Sequence, residues 1–251
     1  MPPADTPGAQ FDLRGRSVPI ANGWQWIVTG WDLFRKQPGM WVLFFVLLLV
    51  VFAVLGSIPF LGGAAAALLT PVLTGSLMIA CRNVDEGRDL KLEDLLAGFR
   101  SNLQPLLVVG VFHLVATLII LVLVLMFVGA TVGIGALMGA SVGFPGTGAL
   151  AAGVVSLLIA GLIGAALAVP VYAAMWFAPA LIVFHDVDAV SALKASFFAI
   201  LKNIPATFWY GLIVVGLAIL AGIPFGLGYF VLAPVAFASV YASYRDIFFV
   251  A

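Results

Sequence analysis

The chain has 251 residues, 64% hydrophobic and 9% charged, with 11 basic and 11 acidic side chains and no formal net charge. A soluble domain carries roughly a quarter charged residues. The composition therefore excludes an ordinary soluble enzyme, a disordered chain and a nucleic-acid binder, and implies an integral membrane protein.

Residues 1–22 contain Pro2, Pro3, Pro7 and Pro19 and no apolar core of a signal peptide. They read as a short disordered cytoplasmic arm, and 23–251 as a single transmembrane domain. Three long stretches carry no Asp, Glu, Lys or Arg: 45 residues between Lys36 and Arg82, 85 between Arg100 and Asp186, and 42 between Lys202 and Arg245. A spanning helix needs about 20 apolar residues. The first stretch holds spans at 39–57 and 63–81, and the last holds spans at 205–223 and 228–246. The middle stretch reads as two long spans, 105–129 and 149–180, the second bent near Pro170. The glycine-rich 130–148 between them is expected to be an exported loop or a re-entrant piece; four short spans are the other reading.

This gives an all-α chain of six transmembrane helices in three hairpins. All 11 basic residues lie in the terminal segments and in loops 82–104 and 183–204. The positive-inside rule places both termini in the cytoplasm of a bacterial inner membrane. The opposite loops carry no charge. Cys81, the only cysteine, excludes an intramolecular disulfide and reads as a small apolar residue at the cytoplasmic end of the second span.

An internal pattern repeats three times. An amphipathic stretch ends in basic and polar residues, a proline follows, and a span begins: Phe34 to Pro38, Phe99 to Pro105, Ile200 to Pro205. Each return span carries Pro-Val, at Pro71, Pro170 and Pro234. Arg82 and Arg245 each follow eleven residues after such a proline; the middle unit has Leu181 there. The amphipathic stretches show apolar residues at helical spacing: Trp24, Ile27, Trp31 and Phe34; Leu92, Leu95, Leu96, Phe99 and Leu103; Val190, Leu193, Phe197, Ile200, Leu201 and Ile204. Such cytoplasmic helices lie in the interface with the apolar face in lipid. Trp24, Trp26, Trp31 and Trp41 fit an aromatic belt.

The segments Trp24-x-Trp26, Trp31-x-Leu33-Phe34-Arg35-x-x-Pro38, Gly75-Ser76-Leu77, Ser196-x-x-Ala199-x-x-x-Asn203 and Tyr241-x-Ser243-Tyr244-Arg245-Asp246-Ile247-Phe248 resemble a family of uncharacterised bacterial multi-pass inner-membrane proteins. That family is similar to the membrane domain preceding some glycerophosphodiester phosphodiesterases. The resemblance implies a six-span inner-membrane protein and brings no catalytic residues, because it does not extend to the phosphodiesterase domain.

His113 is the titratable residue well inside a span. An intramembrane ionisable group is a functional hypothesis by default, but no second His, Cys or carboxylate accompanies it in the spans. It reads as a neutral histidine bonded to a Ser, Thr or backbone group of a neighbouring helix. Arg245 and Asp246 close the last span after Tyr241 and Tyr244. With Arg82 they are candidates for a lipid phosphate, or for pairing with loop carboxylates. Trp24, Trp31 and Phe34 are the candidate lipid- or partner-facing stripe. The charges of loop 82–104, among them Asp85, Glu86 and Asp89, form no metal-binding spacing and read as a solvated loop. Gly129-x-x-x-Gly133 and similar small-residue pairs permit close helix contact.

No catalytic constellation, cofactor motif or metal-ligand set appears. The expected function is non-enzymatic: an accessory or scaffold subunit, or a lipid-organising protein. Its expected partners are membrane lipids or another membrane protein complex, and not nucleic acid. The alternative is a small transporter or channel for an apolar or amphipathic substrate, in which Thr70, Thr74, Ser76, His113, Thr117 and Tyr172 face a common cavity.

Overall fold

Without water to satisfy it, the polar backbone of an apolar segment in lipid must close its hydrogen bonds within helices. The computed structural model describes residues 10–59, 61–141 and 145–250, and it is all-α. After a two-residue strand β1 (Gln10–Phe11) come α1 (Asn22–Lys36), α2 (Pro38–Gly56) and α3 (Leu61–Asp85). A 3-10 turn (Leu92–Leu96) runs into α4 (Ala97–Arg100), followed by α5 (Leu103–Ser141), α6 (Pro145–Trp176) and α7 (Ala178–His185). The chain ends with α8 (Ala189–Lys202), α9 (Ile204–Gly222), α10 (Tyr229–Phe248) and β2 (Phe249–Val250). β1 and β2 pair antiparallel, Gln10 with Val250 and Phe11 with Phe249.

Five stretches are long and apolar enough to cross a membrane: Pro38–Gly56, Leu61–Asp85, Leu103–Ser141, Ala152–His185 and Ile204–Gly222. Pro38, Pro179 and Pro205 each stand in the first turn of a helix, where the missing N–H costs little. The expected sixth span, 228–246, is a helix at those residues, α10, but it does not join this set. Its second half carries Ser239, Tyr241, Ser243, Tyr244, Arg245 and Asp246, and most of that half is buried against other helices.

The expected loop at 130–148 is corrected. α5 runs unbroken to Ser141 and α6 begins at Pro145; residues 142–144 lie outside the described residues. Glycine is a poor helix former in water, but in lipid an unpaired amide costs more than a flexible one, so the helix persists. At 39 residues, α5 is about 58 Å long at 1.5 Å per residue, roughly twice the hydrocarbon thickness of a bilayer. Pro170 lies inside α6. The chain breaks instead at Phe177, between α6 and α7.

The threefold pattern closes on itself. The polar residue near each span-opening proline ties down the chain leading into the next amphipathic segment. Gln37 Oε1 accepts from Leu90 N (2.8 Å), and its Nε2 donates to Arg88 O (3.1 Å). Asn102 Nδ2 donates to Ile182 O (3.0 Å) and Asp186 Oδ1 (2.6 Å). Asn203 Oδ1 accepts from Val18 N (2.8 Å), and its Nδ2 donates to Arg16 O (2.9 Å). The third unit thus returns to the first.

Each amphipathic helix also seats a small residue on the return helix of the preceding unit. A Cβ on Gly98 would lie 2.3 Å from Val72 O of α3, and one on Gly30 2.6 Å from Val235 O of α10. Ser196 of α8 donates to Ala173 O (2.7 Å) and accepts from Phe177 N (2.9 Å). Val72 and Val235 follow their prolines directly, whereas Ala173 stands three residues after Pro170. By this register the middle counterpart of Arg82 and Arg245 is Val183, not Leu181.

Two units separate by their contacts, where a single domain was expected: residues 10–111 with 173–250, and residues 112–172. The second is an antiparallel helix pair. His113 lies edge-on to Tyr172, Val124 meets Gly164, Ser156 bonds Thr131, and Val132 meets Gly153. The first holds the buried aromatic core, with Trp26, Trp41, Phe44, Phe177, Tyr244 and Phe248 each at most 2% exposed. Residues 10–18, expected in a disordered arm, are bonded to the C-terminus. Asp12 N donates to Phe248 O and Arg16 N to Ile247 O.

Candidate functional site

Asp246 is 7% exposed and is a structural hub, not the expected lipid or partner contact. Its carboxylate accepts from Arg16 Nη2 (2.7 Å), Asn22 Nδ2 (2.7 Å) and Trp26 Nε1 (2.9 Å). Arg16 Nε adds a bond to the Asp246 carbonyl (2.7 Å). One buried charge with several charge-assisted donors therefore locks the arm and α1 to the end of α10. Its partners were missed because they are scattered over the first 26 residues and share no spacing with it.

Beside it, the C-terminal ends of α3, α7 and α10 form a cavity of about 110 Å³ lined by Arg82, Phe184, His185, Tyr241, Tyr244, Arg245 and Phe249. The structure thus brings the two expected arginines together. Arg245 is paired with Asp85, which also accepts from the Tyr241 hydroxyl (3.2 Å). This is the loop-carboxylate pairing anticipated for Arg245. The Arg82 guanidinium carbon stands 4.5 Å over the Phe184 ring. Arg82 Nε is buried and meets no hydrogen-bond acceptor; Glu86 Oε1 is 3.9 Å away. His185 Nε2 and the Tyr244 hydroxyl are 2.6 Å apart, and the Phe11 ring stacks on His185 at 3.5 Å. The Tyr241/Tyr244/Arg245 spacing was the visible signal. Phe184 and His185 carried none, because only the packing of α7 against α3 brings them in.

The expected stripe of α1 divides. Phe34 and Ile27 are buried with Trp26 and Leu33, while Trp24 and Trp31 are 49% and 46% exposed. Phe34 is corrected to a core residue. The reason is that α1 packs on α9 and α10 through glycine: a Cβ on Gly23 would meet Ala206 O of α9 at 2.7 Å, as Gly30 meets Val235 O of α10. Trp24 and Trp31, with Val28, Leu217, Leu220, Pro224, Val231 and Leu232, line an apolar groove of about 530 Å³ between α1, α9 and α10. α9 and α10 touch at its far end, where a Cβ on Gly228 would meet Ala221 Cα at 2.5 Å. Tyr210 bonds Ser239 (2.8 Å) where the two helices meet again.

His113 does not make the expected bond: its Nδ1 is buried without a hydrogen-bond partner, and the ring packs edge-on to Tyr172 at 6.0 Å. Thr70, Thr74 and Ser76 donate to carbonyls of their own helix. Among the described residues no three His, Cys, Asp or Glu side chains converge as metal ligands.

These features define a multi-pass all-α membrane protein with apolar spans and one polar end. The chain is 33% identical over 214 residues to a protein of Burkholderia thailandensis named as a probable inner membrane protein, an alignment covering 84% of this chain and 77% of that one. It belongs to that family of bacterial inner-membrane proteins. No family model and no solved structure matches it.

Proposed function

We propose that the protein is a non-enzymatic inner-membrane accessory that organises lipids, seating an acyl chain in the groove between α1, α9 and α10. The groove carries this reading. Its lining is apolar, and α9 is apolar enough to cross a membrane. A lipid-facing hollow has no water to fill it, and an empty one forfeits dispersion contacts along its walls. A tail of the surrounding bilayer restores them. The void lined by Trp41, Phe44, Phe45, Leu48, Leu77, Pro234 and Phe237 is only about 10 Å³, which favours this reading over a transporter with a central path. The finer likeness to the membrane domain of glycerophosphodiester phosphodiesterases belongs to the same proposal and rests on the quoted segments. The cytoplasmic placement of both termini rests on the basic loops.

Native mass spectrometry after gentle extraction, with lipid and protein identification, tests it. Phospholipid is expected to stay bound, and Val28→Phe with Val231→Phe, which fills the groove, is expected to shed it. Brominated acyl chains should quench the fluorescence of a variant retaining only Trp24 and Trp31, and groove filling should relieve that quenching. A stoichiometric protein partner without bound lipid would replace the lipid-organising reading with that of a protein-binding subunit. Retention unchanged in the filled variant would remove the groove from it.

A further inference from the structure

We propose a second site that goes beyond the acyl groove and does not depend on it: the cavity at the ends of α3, α7 and α10 binds the phosphate of an anionic ligand through Arg82, Arg245 and Tyr244. Buried charged donors are rarely left unbonded, because their desolvation is then uncompensated. Arg82 Nε is such a donor: the atom is buried with no acceptor and lies 3.9 Å from Glu86 Oε1, while the side chain as a whole is 39% exposed, which gives an anion access to it. That carboxylate, Glu86, is shared with Arg88, and Asp85 is engaged by Arg245 and Tyr241. Of the residues lining the cavity, Arg82 and Arg245 carry guanidinium groups and none carries a carboxylate; Asp85 and Glu86 pair with them from outside the lining, and Asp186 acts on His185.

Tyr244 is 2% exposed. If His185 Nε2 donates to its oxygen, as their 2.6 Å separation allows, the hydroxyl proton is directed elsewhere and available to an anion. The Arg82 guanidinium carbon stands over the Phe184 ring, and the planar donor fork of an arginine suits an oxyanion. The volume of about 110 Å³ is several times the ~10–15 Å³ that one water needs, which leaves room for a tetrahedral phosphate group. The site lies beside the basic cytoplasmic loops, so the phosphate is that of a phospholipid headgroup or a free oxyanion.

The test uses the full chain purified in neutral detergent without phosphate. Thermal unfolding is followed against sodium phosphate, sodium chloride at matched ionic strength, dihexanoyl phosphatidylglycerol and dihexanoylglycerol, which lacks the phosphate. The phosphate-bearing lipid is expected to raise the midpoint where dihexanoylglycerol does not. Arg82→Gln is expected to shift the half-effect concentration upward by about tenfold or more, the scale of one charge-assisted contact. Arg82→Lys and Tyr244→Phe are expected to shift it less, and both keep the packing should Arg82→Gln fail to fold. Response to sodium phosphate as well would assign a free-oxyanion site; response to the lipid alone would assign a headgroup site. The proposal is overturned if chloride and dihexanoylglycerol match the phosphate probes, or if the folded variants respond as the native chain does. Loss of lipid from the acyl groove alone would leave these titrations unchanged.

Discussion

The helix pair of residues 112–172 and the remainder of the chain are both rich in glycine, but the glycines do different work. In the pair, Gly129, Gly133 and Gly161 have no neighbour within 4 Å of where a Cβ would stand. In the other unit, Gly39, Gly63, Gly211 and Gly216 are equally open, but Gly23, Gly30, Gly98 and Gly110 each lie against a backbone carbonyl at less than 3.0 Å. A small-residue spacing therefore marks a permitted contact, and only a facing carbonyl makes it a required one. The four-residue glycine motifs legible in the sequence fall on the open side of this comparison at Gly129 and Gly133. The seven-residue pair Gly23 and Gly30 falls on the closed side.

The largest expected effect is on the closed side and is electrostatic. Asp246→Ala strips the acceptor from Arg16, Asn22 and Trp26. Breaking a buried pair typically costs 3–5 kcal/mol; because Arg16 is 42% exposed and can reach water, about 3 kcal/mol is expected. Unfolding in detergent should show the loss, with proteolysis appearing first in residues 10–21.

Next comes Gly30→Ala, which puts a methyl group 2.6 Å from Val235 O and should cost about 1–3 kcal/mol as overpacking. A midpoint equal to the native one would mean that α1 lifts off α10 freely. Asn203→Ala removes the acceptor of Val18 N and the donor to Arg16 O. Leaving those groups unpaired should cost about 1–2 kcal/mol, and faster amide exchange at Val18 is the specific readout. Gly133→Ala, on the open side, should be neutral or stabilise by up to about 1 kcal/mol through helix propensity. A clear destabilisation there would show that the pair is covered by another chain in the membrane.

Much of the fold was legible before any tertiary contact was known. The prolines at 38, 105 and 205 stand in the first turns of α2, α5 and α9, where a missing N–H is harmless. The charge-free stretches became apolar helices, and the three repeated units were visible in the chain order of amphipathic stretch, proline and span. The 130–148 segment was misread because its glycines were weighed by their behaviour in water. The last helix lies where the sequence placed it, at 228–246, but the buried Ser239, Tyr241, Ser243, Tyr244 and Asp246 of its second half keep it out of the five stretches long and apolar enough to cross a membrane.

The candidate site was half legible. Arg82 and Arg245 share a position in the repeat, and Tyr241 and Tyr244 precede the second by four residues and one. Asp85, Phe184 and His185 had no such signal.

The sequence by itself determined the class of molecule, the helix starts marked by proline at 38, 105 and 205 and the segments to which the charges are confined. Apolar length, proline geometry and charge are local properties that do not depend on what packs where. Tertiary structure decided which glycines are obligatory, that Asp246 is buried and that Phe34 is core while Trp24 and Trp31 are not. It also decided that the threefold pattern shifts by two residues in its middle unit. Those outcomes turn on the distance between atoms far apart in the chain, and a two-residue shift rotates a helix by about 200° at 3.6 residues per turn. Composition and spacing hold no record of that rotation.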